Sequence, residues 1–511
     1  VSTTEERIST ATATTPDVQR LRKGAVGMVG VIFMAVATAA PITAMVGNVP
    51  VAVGYGNGIG APAGYLIATV VLTVFSVGYV AMARHITATG AFYGYVSHGL
   101  GQVVGMIAGL LAALSYIVFE AALVGIFSYF AHNTVRDLLG LNVHWLVFAL
   151  LMLGVNAALT YFDITLTERV LGLFLLTEIA MLSLMAVAVL VHGGGPDGLA
   201  VSALNPLNGL RPATSVAGAS ATLGLFMAFW SWVGFESTAM YGEESRDPKR
   251  IIPRATLLAV VGIGIFYVFV SWMAIAANGL HQSVAIAGGK DPSQLFFAPT
   301  ERLVGHWAVV MFEILLVTGS YACGMAFHNC AARYLYAIGR ENLIPGTGHT
   351  LGATHPRYRS PYVAGFTQTA IATTLVLLFW VTGKDPYLEL YVLLAILGTM
   401  AILIVQSLCS FAVIGYFHVR RKHPETRSVW RTLLAPLLGG VGMIYIIVLL
   451  FQNQQTAAGA ASKDLLFKLI PYIVLGTAAL GAGLALYLRA RRPDKYEIIG
   501  RIVLEDTIER D

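Results

Sequence analysis

Charge is what this sequence has least of. Acidic and basic residues make up 12% of its 511 positions, about half the ~25% of soluble domains, too little to cover a water-facing surface of this size. Cysteine is also scarce. Cys323, Cys330 and Cys409 all fall inside apolar runs, at spacings that match no metal or redox motif; they read as buried packing residues rather than a disulfide framework. No Gly-x-x-x-x-Gly-Lys-Ser/Thr loop is present, which argues against ATP drive. No His-Glu-x-x-His motif or Cys/His cluster occurs, so neither a metal site nor a cofactor is expected. No nucleophile–base pair converges, so the chain does not read as an enzyme. His98, His132, His281, His306 and His355 fall in loops or at the ends of runs and read as solvated. A long basic stripe with interleaved aromatics is missing, so the formal charge of +5 does not point to nucleic acid. The Gly-x-Gly in Val261–Ile265 lacks the rest of a nucleotide fingerprint and reads as helix packing.

What is abundant is apolar sequence: 57% of the chain, with a mean hydropathy of +0.72. A helix needs about 20 apolar residues to cross a bilayer. Such runs recur at about 26–47, 62–83, 102–131, 144–162, 168–192, 215–240, 256–278, 306–338, 362–382, 387–417, 431–452 and 466–488. They are too long and too continuously apolar for barrel strands, which are about 10 residues with period two. The fold class is therefore an all-α integral membrane protein of about twelve transmembrane helices. Residues 1–23, rich in Ser and Thr and without a signal-peptide core, read as a disordered cytoplasmic tail. Residues 24–488 form the membrane domain, and 489–511 a second cytoplasmic tail.

Basic residues set the orientation. With both termini in the cytoplasm, Arg84, Arg246, Lys249, Arg250, Arg333, Arg340, the Arg420–Lys422 cluster and most others fall inside. Only Arg136, Arg211, Lys290, Arg302, Lys384, Lys463 and Lys468 of the 32 fall outside. The expected location is the plasma (cytoplasmic) membrane, with membrane lipids as partners.

Two runs carry interruptions at corresponding places. The first is broken at Ala39–Ala40–Pro41, because proline lacks an N–H and clashes with the preceding turn. The sixth is broken around Ser231–Gly234, where glycine permits unusual backbone angles. Broken helices at mid-membrane free polar backbone groups, which are tolerated only where they line a cavity or meet a ligand. A matched pair of breaks is the sequence pointer to an inverted-repeat transporter and its site, with repeats at about 24–192 and 215–417 and extra helices over 431–488.

Phe229-Trp-Ser-Trp-Val-Gly-Phe-Glu236, followed by Tyr241-Gly-Glu-Glu-Ser-Arg-Asp-Pro-Lys-Arg-Ile-Ile-Pro-Arg254, resembles the sixth helix and following loop of the amino acid–polyamine–organocation (APC) superfamily of permeases. Thr89-Gly-Ala-Phe-Tyr-Gly-Tyr95 with Leu100-Gly101, and Arg333-Tyr-Leu-Tyr-Ala-Ile-Gly-Arg-Glu-Asn-Leu-Ile-Pro345, resemble two further stretches of that family in the same order. The resemblance covers about residues 24–420. It implies a LeuT-type fold of five plus five helices in inverted repeats, with two more, and a substrate site between the breaks of helices 1 and 6. It places a substrate carboxylate near Ala39, Ala40, Pro41 and Ile42, and an amino group near the carbonyls of Trp230, Ser231 and Val233, beside Gly234. The first break departs from the family's Gly-rich run: Pro41 removes one donor, so amines lacking an α-carboxylate stay open.

Ionisable groups inside membrane helices are costly and mark function by default. Glu120 matches, by resemblance, a position lining the side-chain pocket and is a candidate for pairing with a cationic substrate group; the alternative is a hydrogen-bonded structural acid. Glu178 and Glu236 are candidates for proton coupling or gating. Glu178 lies where several relatives carry a lysine, with the sign reversed; a carboxylate taken out of water is costly to keep charged and suits proton uptake and release. Glu313 has no counterpart, and Glu168 beside Arg169 reads as a helix-start carboxylate. Trp230 and Trp232 flank Ser231; an aromatic face attracts a bound ammonium, and Trp230 is the pocket or gate candidate. Glu243 and Glu244, with Arg246, Lys249 and Arg250, form a loop that reads as a solvated charge run or cytoplasmic gate pairs. The expected function is a secondary active transporter of amino acids, proton-coupled or exchanging, open to cationic substrates and working by alternating access. The alternatives are a polyamine or other amine transporter, or a ligand sensor without turnover.

Overall fold

The structure, a computed structural model, describes residues 27–87, 90–161, 164–213, 219–242, 245–358, 360–452 and 464–501, leaving out the side chains of Met34 and 164–171. The expectations for the tail at 1–23, for Glu168, for Glu243 and Glu244, and for 502–511 lie outside the described residues. Ten helices among the described residues are long and apolar enough to cross a membrane. The shorter apolar helix Trp145–Tyr161 and the broken sixth helix bring the bundle to twelve.

In order, α1 is Met28–Tyr55, α2 Gly58–Ala83, α3 Gln102–Leu139, α4 Trp145–Tyr161 and α5 Ile164–Val191. The sixth, α6, has two pieces, Ala221–Trp232 and Phe235–Tyr241. Then come α7 Pro248–Asn278, α8 His306–Arg340, α9 Tyr362–Val381, α10 Pro386–Val419, α11 Trp430–Gln452 and α12 Leu465–Arg491. Large apolar side chains such as Val147, Leu151, Leu258, Ile265, Leu378, Val441, Leu475 and Leu480 remain exposed. A girdle of this kind would be an aggregation liability in water and suits contact with lipid tails.

The packing follows the expected inverted repeat. Helix α2 packs on α7, α3 on α8, and α4 on α9, so each meets its own counterpart in the other repeat, as a pseudo-two-fold axis in the membrane plane requires. Helices α3, α4, α8 and α9 also pack on one another, and α1 runs against α7, α5 and α8.

Both breaks fall where the sequence puts them. Helix α1 stops at Ala39; Ala40 takes a left-handed conformation, φ 43° and ψ 77°, which costs a non-glycine residue about 1–2 kcal/mol. Proline at the next position stops the helix here, because it disfavours the right-handed helical region for the residue before it. A second half-helix restarts at Pro41 and continues through a π-helical stretch, Ala44–Asn48, to Tyr55. In α6 the break is at Val233–Gly234, where Gly234 has φ 122°. An added Cβ on Gly234 would lie 2.6 Å from Thr38 Cβ and Cγ2, so the two breaks touch backbone to side chain.

After α12 the chain folds back. Pro493–Glu497 is a short helix, Ile499 is fully buried, and the Gly500 N–H donates to Glu341 Oε1 at 2.8 Å. Tyr93 donates its hydroxyl to Glu341 Oε2. This strap lies at the end of the bundle that carries Arg333 and Arg340.

Candidate functional site

Several of the backbone groups freed at the two breaks have partners within the protein. Upstream of the first break, Thr38 O accepts from Cys323 Sγ at 3.2 Å and Ala39 O from Tyr267 Oη at 2.8 Å. The Ala40 N–H returns to Val36 O and Ala37 O. Downstream, Pro41 has no N–H, and the Ile42 N–H donates to Glu178 Oε2 at 3.3 Å. At the second break, the Gly234 N–H donates to Glu236 Oε2 at 3.0 Å, and Tyr116 Oη donates to Glu236 Oε1 at 3.0 Å. Trp230 O, expected to be free, accepts from the Val233 N–H at 3.0 Å. Each break is thus capped by a buried carboxylate of the protein, from α5 at the first and from α6 itself at the second.

Between the breaks lies a polar and aromatic cluster. Ser231 Oγ accepts from Asn48 Nδ2 at 2.8 Å, lies 2.9 Å from Tyr65 Oη and donates to Met227 O at 2.7 Å. Trp230 Nε1 donates to Tyr391 Oη at 2.7 Å, and Tyr391 Oη donates to Asn48 Oδ1. The Trp230 ring lies 4.2 Å from that of Phe119 and 5.5 Å from that of Phe327, centre to centre. Two π-helical stretches meet here: Ala44–Asn48 of α1 and Pro386–Tyr391 of α10, whose Tyr387 donates to Gly47 O at 2.7 Å. Such stretches widen a helix by one residue per turn and recur at functional sites.

The candidates Ala39, Ala40, Pro41, Ile42, Trp230, Ser231, Val233 and Gly234 are therefore brought together with Glu178 and Glu236. Glu120 is not. Its neighbour Phe119 faces Trp230, and the Glu120 carboxylate turns away from the breaks. Asn156 Nδ2 donates to its Oε1 at 3.0 Å and Gln368 Nε2 to its Oε2 at 2.6 Å, while His328 Nδ1 lies 3.1 Å from both oxygens. His328 Nε2 lies 2.5 Å from Thr160 Oγ1. This fully buried network ties α3, α4, α8 and α9 together, which is the structural alternative for Glu120. Trp232 bonds outward, Nε1 to Val260 O at 3.3 Å, and packs against Tyr65 and Tyr267. Glu313 sits on the wall of a 420 Å³ cavity at the far end of the bundle, with Tyr129, Trp145, Lys290, Asp291 and Asp385. The three cysteines are buried, as expected.

The residues not anticipated from sequence are Asn48, Tyr65, Tyr391 and His328. His328 carries a usable signal: it is a titratable residue well inside the 306–338 run, unlike the histidines in loops. Asn48 and Tyr391 give a weaker one, as polar tips just past the end of the 26–47 run and just inside the start of the 387–417 run.

The amino acid permease profile matches residues 30–494. The chain belongs to the amino acid permease family. This permease is 23% identical over 415 residues to the branched-chain amino acid permease BcaP of Bacillus subtilis (strain 168), covering 77% of this chain and 80% of the relative. It is 24% identical over 405 residues to the low-affinity putrescine importer PlaP of Escherichia coli (strain K12), covering 75% and 80%. Among solved structures, a manganese transporter of Eremococcus coleocola superposes with a TM-score of 0.58 at 11% identity, over 92% of this chain and 97% of that one. At that identity the likeness concerns the fold alone, which is the LeuT-type arrangement. The permease is thus a multi-pass membrane transporter of the APC superfamily.

Proposed function

We propose that this permease is a secondary active transporter that moves a small amine-bearing solute, an amino acid or a polyamine, by alternating access with the proton as coupling ion. The observation that carries the proposal is the pair of touching helix breaks, each capped by a buried acid, Glu178 on Ile42 N and Glu236 on Gly234 N. Broken helices at mid-membrane are where transporters of this fold hold substrate. A carboxylate bound to a break can change its charge and its grip on that break together, which links proton movement to helix rearrangement. The aromatics and the amide of this cluster, Trp230, Tyr391 and Asn48, supply an ammonium-compatible wall. Relatives named for branched-chain amino acids and for putrescine span the same substrate range.

The reading places the protein in the plasma membrane, with both termini and the Arg333 end of the bundle on the cytoplasmic side. It treats 24–192 and 215–417 as the two repeats.

The deciding measurement is uptake of labelled arginine, lysine, putrescine, a neutral amino acid and γ-aminobutyrate into proteoliposomes, with and without an inward proton gradient. Saturable uptake of one class, stimulated by the gradient and no longer stimulated in Glu178→Gln, is the expected result. Uptake that needs internal substrate and ignores the gradient makes the protein an exchanger. No uptake of any of them overturns the proposal.

A further inference from the structure

The seat for an anion at the first break is already taken. The N-terminus of a half-helix carries partial positive charge and unpaired N–H groups, so it is where a substrate carboxylate would dock. In this chain Pro41 contributes no donor there, and the next donor, Ile42 N, is bound by Glu178. Space is equally committed. Glu178 is 2% exposed, and a Cβ added to Gly319 of α8 would lie 2.5 Å from Glu178 Oε1 and 2.8 Å from Ile42 Cγ2. Glycine at that position of α8 lets the acid reach the break. At the other break Gly234 N is likewise bound, by Glu236.

From these contacts we infer that Glu178 is a specificity-determining residue: it occupies the place of a substrate carboxylate, so the site takes organic amines that have no carboxylate beside the amine and rejects the matching α-amino acids. The inference rests on the transporter reading above and narrows it. The ligand class follows from which donors are taken. A zwitterionic amino acid would bring its carboxylate to the Ile42 N–H that Glu178 already holds, and whenever Glu178 is ionised the two carboxylates also repel. An amine brings only the cation, which meets two acids and the Trp230 ring.

The test uses matched pairs that differ only by the carboxylate: lysine and cadaverine, ornithine and putrescine, arginine and agmatine, valine and isobutylamine. Equilibrium exchange in proteoliposomes of the full chain needs no gradient, so coupling defects do not obscure it. Wild type is expected to prefer the amine of its transported pair by about 100-fold or more in kcat/KM. Glu178→Ala empties the seat and is expected to shift the preference at least tenfold toward the amino acid. Glu178→Gln keeps the seat filled and is expected to go on rejecting the amino acid. Should Glu178→Ala fail to fold, the wild-type ratio alone decides. Wild-type exchange of an α-amino acid as fast as its amine, or an unchanged preference in a folded Glu178→Ala, overturns the inference and leaves the transporter standing. Exchange of neither member of any pair overturns both.

Discussion

Asn48 and Ser231 join the two broken helices side chain to side chain, Nδ2 to Oγ at 2.8 Å. Asn48 ends the π-helical stretch of α1, and Ser231 sits one turn before the glycine of α6. Removing either partner leaves a buried polar group unpaired, at a cost of about 1–3 kcal/mol. Asn48→Ala and Ser231→Ala should each lower kcat/KM by about tenfold or more with a folded, monodisperse protein. Because both remove the same contact, the double variant should be much less than the product of the singles. Full additivity in uptake kinetics would mean that the bond does not couple the breaks.

Gly234 should tolerate no side chain. At φ 122° an L-residue is strained, by about 1–3 kcal/mol, and the added Cβ would also run into Thr38 at 2.6 Å. Gly234→Ala is expected to abolish uptake and lower the melting temperature in detergent. Adding Thr38→Ala removes the collision but not the strained angle, so rescue should be partial at best. Wild-type rates in Gly234→Ala would show that this glycine is dispensable.

Glu120 and His328 should behave as one structural unit. Removing one partner of a buried hydrogen-bonded network leaves the others unpaired, at a cost of about 1–3 kcal/mol for each such group. Glu120→Ala or His328→Ala should therefore depress thermal stability sharply, while substrate KM in the surviving folded fraction stays near wild type. A large change in KM for cationic substrates with unchanged stability would instead return Glu120 to the substrate pocket.

The C-terminal strap should loosen as pH rises. Glu341 lies just past the end of α8, and burial pushes its carboxyl up to about 8, against the hydrogen bonds from Tyr93 and Gly500 and the nearby charges of Arg340 and Lys495. A carboxyl whose folded pKa is raised binds its proton more tightly in the docked state. Its contribution is therefore fully present below about 4.5 and is lost as pH climbs through about 8. Amide exchange over residues 493–501, corrected for intrinsic chemistry, should accelerate at least about tenfold between pH 5 and 9. Glu341→Gln should flatten that dependence; a slope that survives the substitution would assign it to another group.

The helices were legible because each crossing is long, apolar and punctuated by Gly, Pro or charge. Even the break in α1 is readable, since Pro41 keeps Ala40 out of the helical region. The fate of the freed donors was not. Nothing local to Glu178 says that its carboxylate ends at Ile42 N, because that contact joins α5 to α1 across 136 positions and depends on a glycine in a third helix. Glu120 shows a second limit of the same kind. Which face of α3 meets Trp230 is set by packing, and Phe119, next to Glu120, occupies it. The aromatic and amide tips of Asn48, Tyr65 and Tyr391 converge only once two π-helical stretches have shifted the register of α1 and α10.

The strap also bears on how the protein is handled. Gly500 fits where it does only because it has no side chain: a Cβ there would lie 2.2 Å from Ser97 Oγ, and Ile499 beside it is sealed from solvent. A purification tag or fluorescent reporter spliced directly after α12 would displace this docked segment, and a chain trimmed at Arg491 would lack it. Fusions placed beyond Arg501 keep it, so proteins compared in binding or uptake work should share that junction.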